Sequence, residues 1–120
     1  MIELRTAAGQ LAALASEPRL AVYELLARAG PGGLSAGTIA ERHGIGQTAL
    51  SFHLNRLQQA GLVRSRRQGR RIFFSAEFAA LRGVIAFLSE SCCAESGAKC
   101  DPECDTAEAV SALSARERTA

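Results

Sequence analysis

The stretch GIGQTALSFHLNRLQQAGLVRSRRQGRRIFF, residues 44–74, decides the fold of this 120-residue chain. Gly44-Ile45-Gly46 is a tight turn. Beyond it Leu50, Leu54 and Leu57 recur at helical spacing, which predicts a helix with one apolar face. Gly61 supplies its C-terminal stop. LVRSRRQGRRIFFSA then reads as two short strands around a turn at Gln68-Gly69.

Before the turn, LSAGTIAERHGI reads as a short helix capped by Ser35, with Ile39 and Ala40 inward and a stop at Gly44. Further upstream, TAAGQLAALA at 6–15 is helix-forming. SEPRLAVYELLARAG restarts a helix with Ser16 as cap, Pro18 in an early position and Gly30 at the end. Its apolar stripe is Leu20, Val22, Leu25 and Leu26. On the other side, Glu77 to about Ser91 is helical again, with Leu81, Val84, Ile85 and Leu88 on one face. Asp105-Thr-Ala-Glu108 has capping-box character and opens a last short helix to about Arg116.

The order is helix, helix, helix, turn, helix, hairpin, helix. That is mainly α with a small β-hairpin, the pattern of a winged helix-turn-helix. Residues 1–91 form this domain and residues 92–120 a cysteine-containing segment and tail. A chain this short buries a modest share of its surface, which favours pairing with a second copy. The first helix and the helix from Glu77 are expected to form that interface. No apolar run approaches the ~20 residues of a membrane span, and the N-terminus carries charge where a signal peptide needs apolar residues. The expected location is the cytoplasm, where thiols stay reduced.

Net charge is only +2, but it is segregated. Arg42 to Ala76 holds seven arginines and no acid, whereas Ser89 to the end holds seven acids against Lys99, Arg116 and Arg118. An acid-free arginine segment suits a polyanion. On the predicted recognition helix, Gln47, Thr48, Ser51 and Phe52 lie opposite the leucine stripe. Gln47 can read an adenine edge, Thr48 and Ser51 can donate to base or phosphate, and Phe52 can meet a thymine methyl. His53 and Arg56 extend that surface, although His53 equally suits helix packing. Arg67 and Arg70, beside the hairpin tip, are the arginines most expected on phosphate. Leu62, Phe73 and Phe74 are expected in the core.

All four cysteines, Cys92, Cys93, Cys100 and Cys104, fall in SESCCAESGAKCDPEC, residues 89–104. Clustered cytosolic cysteines point to metal binding or redox chemistry, and thiolates select a soft, thiophilic centre. Adjacent cysteines on a regular helix point about 100° apart, so Cys92 and Cys93 need a frayed helix end to converge on one atom. No Cys-x-x-Cys motif or neighbouring general base favours a thiol enzyme, and the arginine segment disfavours a simple metal store.

The chain resembles the ArsR/SmtB family of metalloregulatory repressors. LAALASEPRLAVYELL resembles the family's N-terminal helix pair. TALSFHLNRLQQAGLVRSRRQGRRIFF resembles its recognition helix and wing, including Ser-x-His-Leu at 51–54 and Gly-Leu-Val at 61–63. The resemblance covers roughly residues 8–88. It implies a homodimer that holds double-stranded operator DNA and releases it when a metal or metalloid binds. Two departures relocate the inducer site. Family arsenic sensors commonly carry a Cys-Val-Cys type motif where Ser35–His43 here has no cysteine. Zinc and nickel members use His and carboxylates on the final helix, where Phe78–Phe87 has none. Cys92-Cys93 plus Cys100 resembles the C-terminal arrangement of some arsenic-responsive members, with Cys104 as a fourth thiol. The implied inducer is trivalent arsenic, As(III), or antimony, Sb(III). Methylarsenite on two thiolates, cadmium, lead or zinc on four, and redox sensing remain alternatives.

Overall fold

The computed structural model describes residues 2–95. Its elements are α1 (Leu4–Leu14), α2 (Glu17–Ala29), β1 (Leu34–Ser35), α3 (Ala36–His43), α4 (Gln47–Gln59), β2 (Val63–Gln68), β3 (Arg71–Ala76) and α5 (Phe78–Ser89). Cys100, Cys104 and the last helix expected from Asp105 lie outside the described residues. None of the described helices is long and apolar enough to cross a membrane.

Local signals set most boundaries. Ser35 caps α3, its Oγ accepting from Thr38 N at 3.3 Å. Gly44 ends α3 in the left-handed region, φ 70°, and returns its N–H to Ala40 O. Pro18 sits in the first turn of α2, while Ser16 holds the cap position without a side-chain bond. The first helix begins at Leu4, two residues earlier than its composition suggests.

The sheet has three strands in the order β1-β3-β2, all antiparallel, and not the two expected. β1 is two residues long, too short for any alternation to announce it, and pairs Leu34 with Phe74 and Ser35 with Phe73. Gly33 makes that approach feasible. It takes φ +74°, and a Cβ there would collide with the Phe74 carbonyl. The hairpin turn is Gly69-Arg70, one residue beyond the expected pair, because Gln68 pairs with Arg71. Gly69 takes φ 65° and Arg70 does not follow it to positive φ, as in a type II′ turn.

One core joins these elements. Val22, Tyr23 and Leu26 of α2, Ile39 of α3, the α4 leucines 50, 54 and 57, Leu62, Val63 and Ala76 are buried together. Three apolar residues depart from expectation. Leu20 is 49% exposed and Leu88 61% exposed. Phe73 is half-buried outside the core, where the Arg66 guanidinium lies 5.9 Å from its ring centroid. Phe74 and Leu62 pack as expected.

Helix α5 leaves the sheet through one residue, Glu77, whose N–H bonds Leu62 O at 2.7 Å. It packs on α1, and only Val84 of its apolar face is buried by this chain.

Candidate DNA-reading surface and cysteine pair

The apolar stripe of α4 turns its other side outward. Gln47, Thr48, Ser51, Phe52 and Arg56 are all exposed, and Phe52 is 58% exposed. A large aromatic at the front of a polar helix face, beside amide and hydroxyl groups, is suited to base edges and thymine methyls.

His53 sits apart from this group. It is half-buried, its ring stands edge-on to Phe52 at 5.8 Å, and its Nδ1 is buried without a hydrogen-bond partner among the described residues. Nε2 of His43, at the end of α3, is likewise buried and unpartnered among them. Burial first, then the charges of Arg19 on α2 and His43 on α3, lowers His53 below its ordinary value of 6.5. The proton on His53 is therefore disfavoured by folding. Its stabilising contribution is complete above about pH 6.5 and is lost as pH falls through the lower folded value. Urea midpoints measured from about pH 8 to about pH 5 should decline on the acid side, and His53→Gln should flatten that part of the profile.

The wing divides its arginines by partner. Arg64 reaches Glu77 at 3.7 Å, and Arg66 donates to Gly32 O at 3.3 Å while covering Phe73. Arg67, Arg70 and Arg71 are exposed, and their side chains hold no hydrogen bond or ion pair among the described residues. Of the two sequence-favoured residues, Arg67 faces Ile72 across the ladder and Arg70 forms the tip. The sequence reasoning missed Glu77. It is the first acid after the arginine run, so the run's end carried the signal. Its carboxylate serves Arg64 in place of a cap bond to α5, and it adds to burial in pushing the Tyr23 phenol above 10.0.

Beyond α5, residues 91–95 turn instead of continuing the helix, with Cys92 N on Ser89 O and Ala94 N on Ser91 O. Cys93 takes φ 60°, the one non-glycine residue at positive φ among those described. This left-handed step costs roughly 1–2 kcal/mol. It brings two adjacent sulfurs to 3.7 Å from each other, on exposed residues. Among the described residues no group of three or more His, Cys, Asp or Glu is assembled for a metal ion. Cys92 and Cys93 are a pair, and the third and fourth sulfurs belong to residues outside the description.

This arrangement, an exposed polar helix after a tight turn and a basic two-stranded tip, defines a winged-helix DNA-binding regulator. The comparisons with known proteins agree. The profile of a helix-turn-helix domain matches residues 14–66. The chain is 34% identical over 87 residues to the HTH-type transcriptional regulator YgaV of Escherichia coli K12, covering 72% of this chain and 86% of that protein. Among solved structures, it is similar to an ArsR-like transcriptional regulator from Rhodococcus sp. RHA1, at 30% identity and a TM-score of 0.67, covering 97% of this chain and 93% of the other. It is also similar to a homodimeric winged helix-turn-helix DNA-binding domain of Mycobacterium bovis, at 31% identity and a TM-score of 0.59, covering 73% and 82%. The chain belongs to the ArsR family of transcriptional regulators.

Proposed function

We propose that this chain is a homodimeric repressor that holds operator DNA of an arsenic-resistance operon and releases it when trivalent arsenic or antimony is taken by cysteine thiolates. The observation that carries this reading is the sulfur pair at 3.7 Å, set by the left-handed Cys93 directly beyond α5. Thiolates are the ligands a thiophilic centre prefers, and trivalent arsenic takes three in a pyramid. Cys92 and Cys93 supply two, and Cys100 or Cys104 in the segment 92–120 supplies the third. The pair alone matches methylarsenite, which needs only two, so that inducer is the second reading.

Pairing is supported by the apolar surface of α1 and α5. Leu4, Leu11 and Leu88 are exposed, and the similar M. bovis domain is a homodimer. The two copies each present an α4 to successive major grooves, and the wings grip phosphate. For Arg67→Ala and Arg70→Ala, the slope of log affinity against log salt should become shallower by about 0.9 for each phosphate no longer neutralised. Fluorescence anisotropy at several salt concentrations measures it. Sequence preference should change little, because phosphate contacts carry no base information.

The deciding experiment is a titration of the reduced protein–operator complex with arsenite, methylarsenite, antimonite, cadmium and zinc. Release by arsenite and antimonite at the lowest concentrations is the expected result. Release by methylarsenite at lower concentration transfers the proposal to the two-thiolate inducer. Release by zinc or cadmium alone, or by none of them, rejects both.

A further inference from the structure

We propose that the cleft between α1 and α4 is a binding site for a phosphate-type oxyanion. It encloses about 350 Å³, and its walls include Arg5, Thr6 and Gln10 from α1 and Arg56 and Gln59 from α4. Neither guanidinium has a hydrogen bond or ion pair among the described residues, and no acid lines the cleft. Two uncompensated cations on one concave surface repel each other, and an anion between them removes that repulsion. Guanidinium forks match the oxygens of phosphate, and Thr6 and Gln59 add neutral donors.

Gln10 gives the cleft a built inner end. It is 6% exposed, and its Nε2 donates across 50 positions of sequence to Ala60 O at 3.1 Å, the residue that ends α4. Its Oε1 is buried and has no donor among the described residues. A buried acceptor calls for a donor, and the P–OH of hydrogen phosphate supplies one where a phosphodiester has none.

Position gives the site a consequence. One wall is the helix on which α5 packs, and the other carries the DNA-reading side chains. An occupant fixes the spacing of those two helices. Its source is either free hydrogen phosphate or a phosphate of the operator backbone; both offer oxygens to the guanidinium forks, and only the first carries a P–OH for Gln10 Oε1. The inference rests on the DNA-binding part of the proposed function and is independent of the cysteines.

The test has two arms, each on the full-length reduced protein. In the first, protein without DNA is titrated with inorganic phosphate at constant ionic strength, and the backbone amides of Arg5, Thr6 and Gln59 are followed by NMR. Saturable shifts are expected, with affinity at least about tenfold weaker in Arg5→Gln because a charge-assisted hydrogen bond is removed. In the second, operator affinity is measured against salt for the wild type and Arg5→Gln. A slope shallower by about 0.9 in the variant identifies the backbone as the source. An unchanged slope together with saturable phosphate shifts identifies a free anion. Absence of saturable shifts in the wild type together with an unchanged slope overturns the site. Failure of arsenite to release DNA, with either arm positive, rejects the inducer and leaves the cleft standing.

Discussion

Cys92→Ser should bind operator DNA as the wild type does and no longer let go when arsenite is added. The residue is exposed, lies beyond the last residue of α5 and is remote in sequence from α4 and the wing. A surface substitution of this kind changes stability by no more than about 0.5 kcal/mol, so the DNA-binding form is preserved. What it removes is one of two sulfurs held 3.7 Å apart. An inducer must favour the form that binds DNA poorly, and the coupling between two such sites is typically about 1–3 kcal/mol, or roughly 5–150-fold in affinity. That whole factor should vanish from the anisotropy titration. Cys93→Ser should do the same. Comparing Cys93→Gly with Cys93→Ser separates geometry from chemistry, since both lose the sulfur and only glycine relaxes the left-handed step. The glycine variant should gain stability where the serine variant does not. Normal release by either serine variant would sink the thiolate mechanism.

The second large effect is on folding. Leu57→Ala should destabilise the protein by about 2–5 kcal/mol, the range for emptying a fully buried leucine site. Leu57 is 0% exposed and sits where α4 meets the shared core. With total stability of about 5–15 kcal/mol typical of such domains, a large part of the folded population is at risk at growth temperature. The urea midpoint should fall with its slope unchanged. Phe52→Ala, five positions earlier on the same helix, is the matched control. With Phe52 58% exposed, it should shift the midpoint little and weaken operator binding instead. One helix thus carries two sets of residues, one whose removal shows in unfolding and one whose removal shows in DNA affinity.

Much of this architecture could be read directly from the residues. The leucine period of α4, the Ser35 cap and the glycine stops are local signals, and local signals survive into the fold. The exposed face of α4 followed by subtraction, as the side opposite the leucines. What escaped depended on partners distant in sequence. β1 exists because β3 lies beside it. The surroundings of His53 are set by Arg19 and His43, which arrive from two other helices. Arg64 and Arg66 ranked below Arg67 and Arg70 only for their distance from the tip, and their partners Glu77, Gly32 and Phe73 could not be read from the residues. Leu20 and Leu88 obeyed the helical period and still face outward, since a period gives a face and not its cover. The sulfur cluster was legible as composition. The left-handed bend at Cys93 was not, because cysteine has no preference for it.

The single-residue joint at Glu77 has a mechanical corollary. Helix α5 has 12 residues and so extends about 18 Å from that joint. A tilt of about 10° about the joint swings the sulfur-bearing end through about 3 Å. The pivot itself hardly travels, yet it is clamped to the base of the wing by Arg64 and by Leu62 O. The helix is a moment arm, and a loose, long stroke at its rim becomes a short, stiff rotation at the fulcrum.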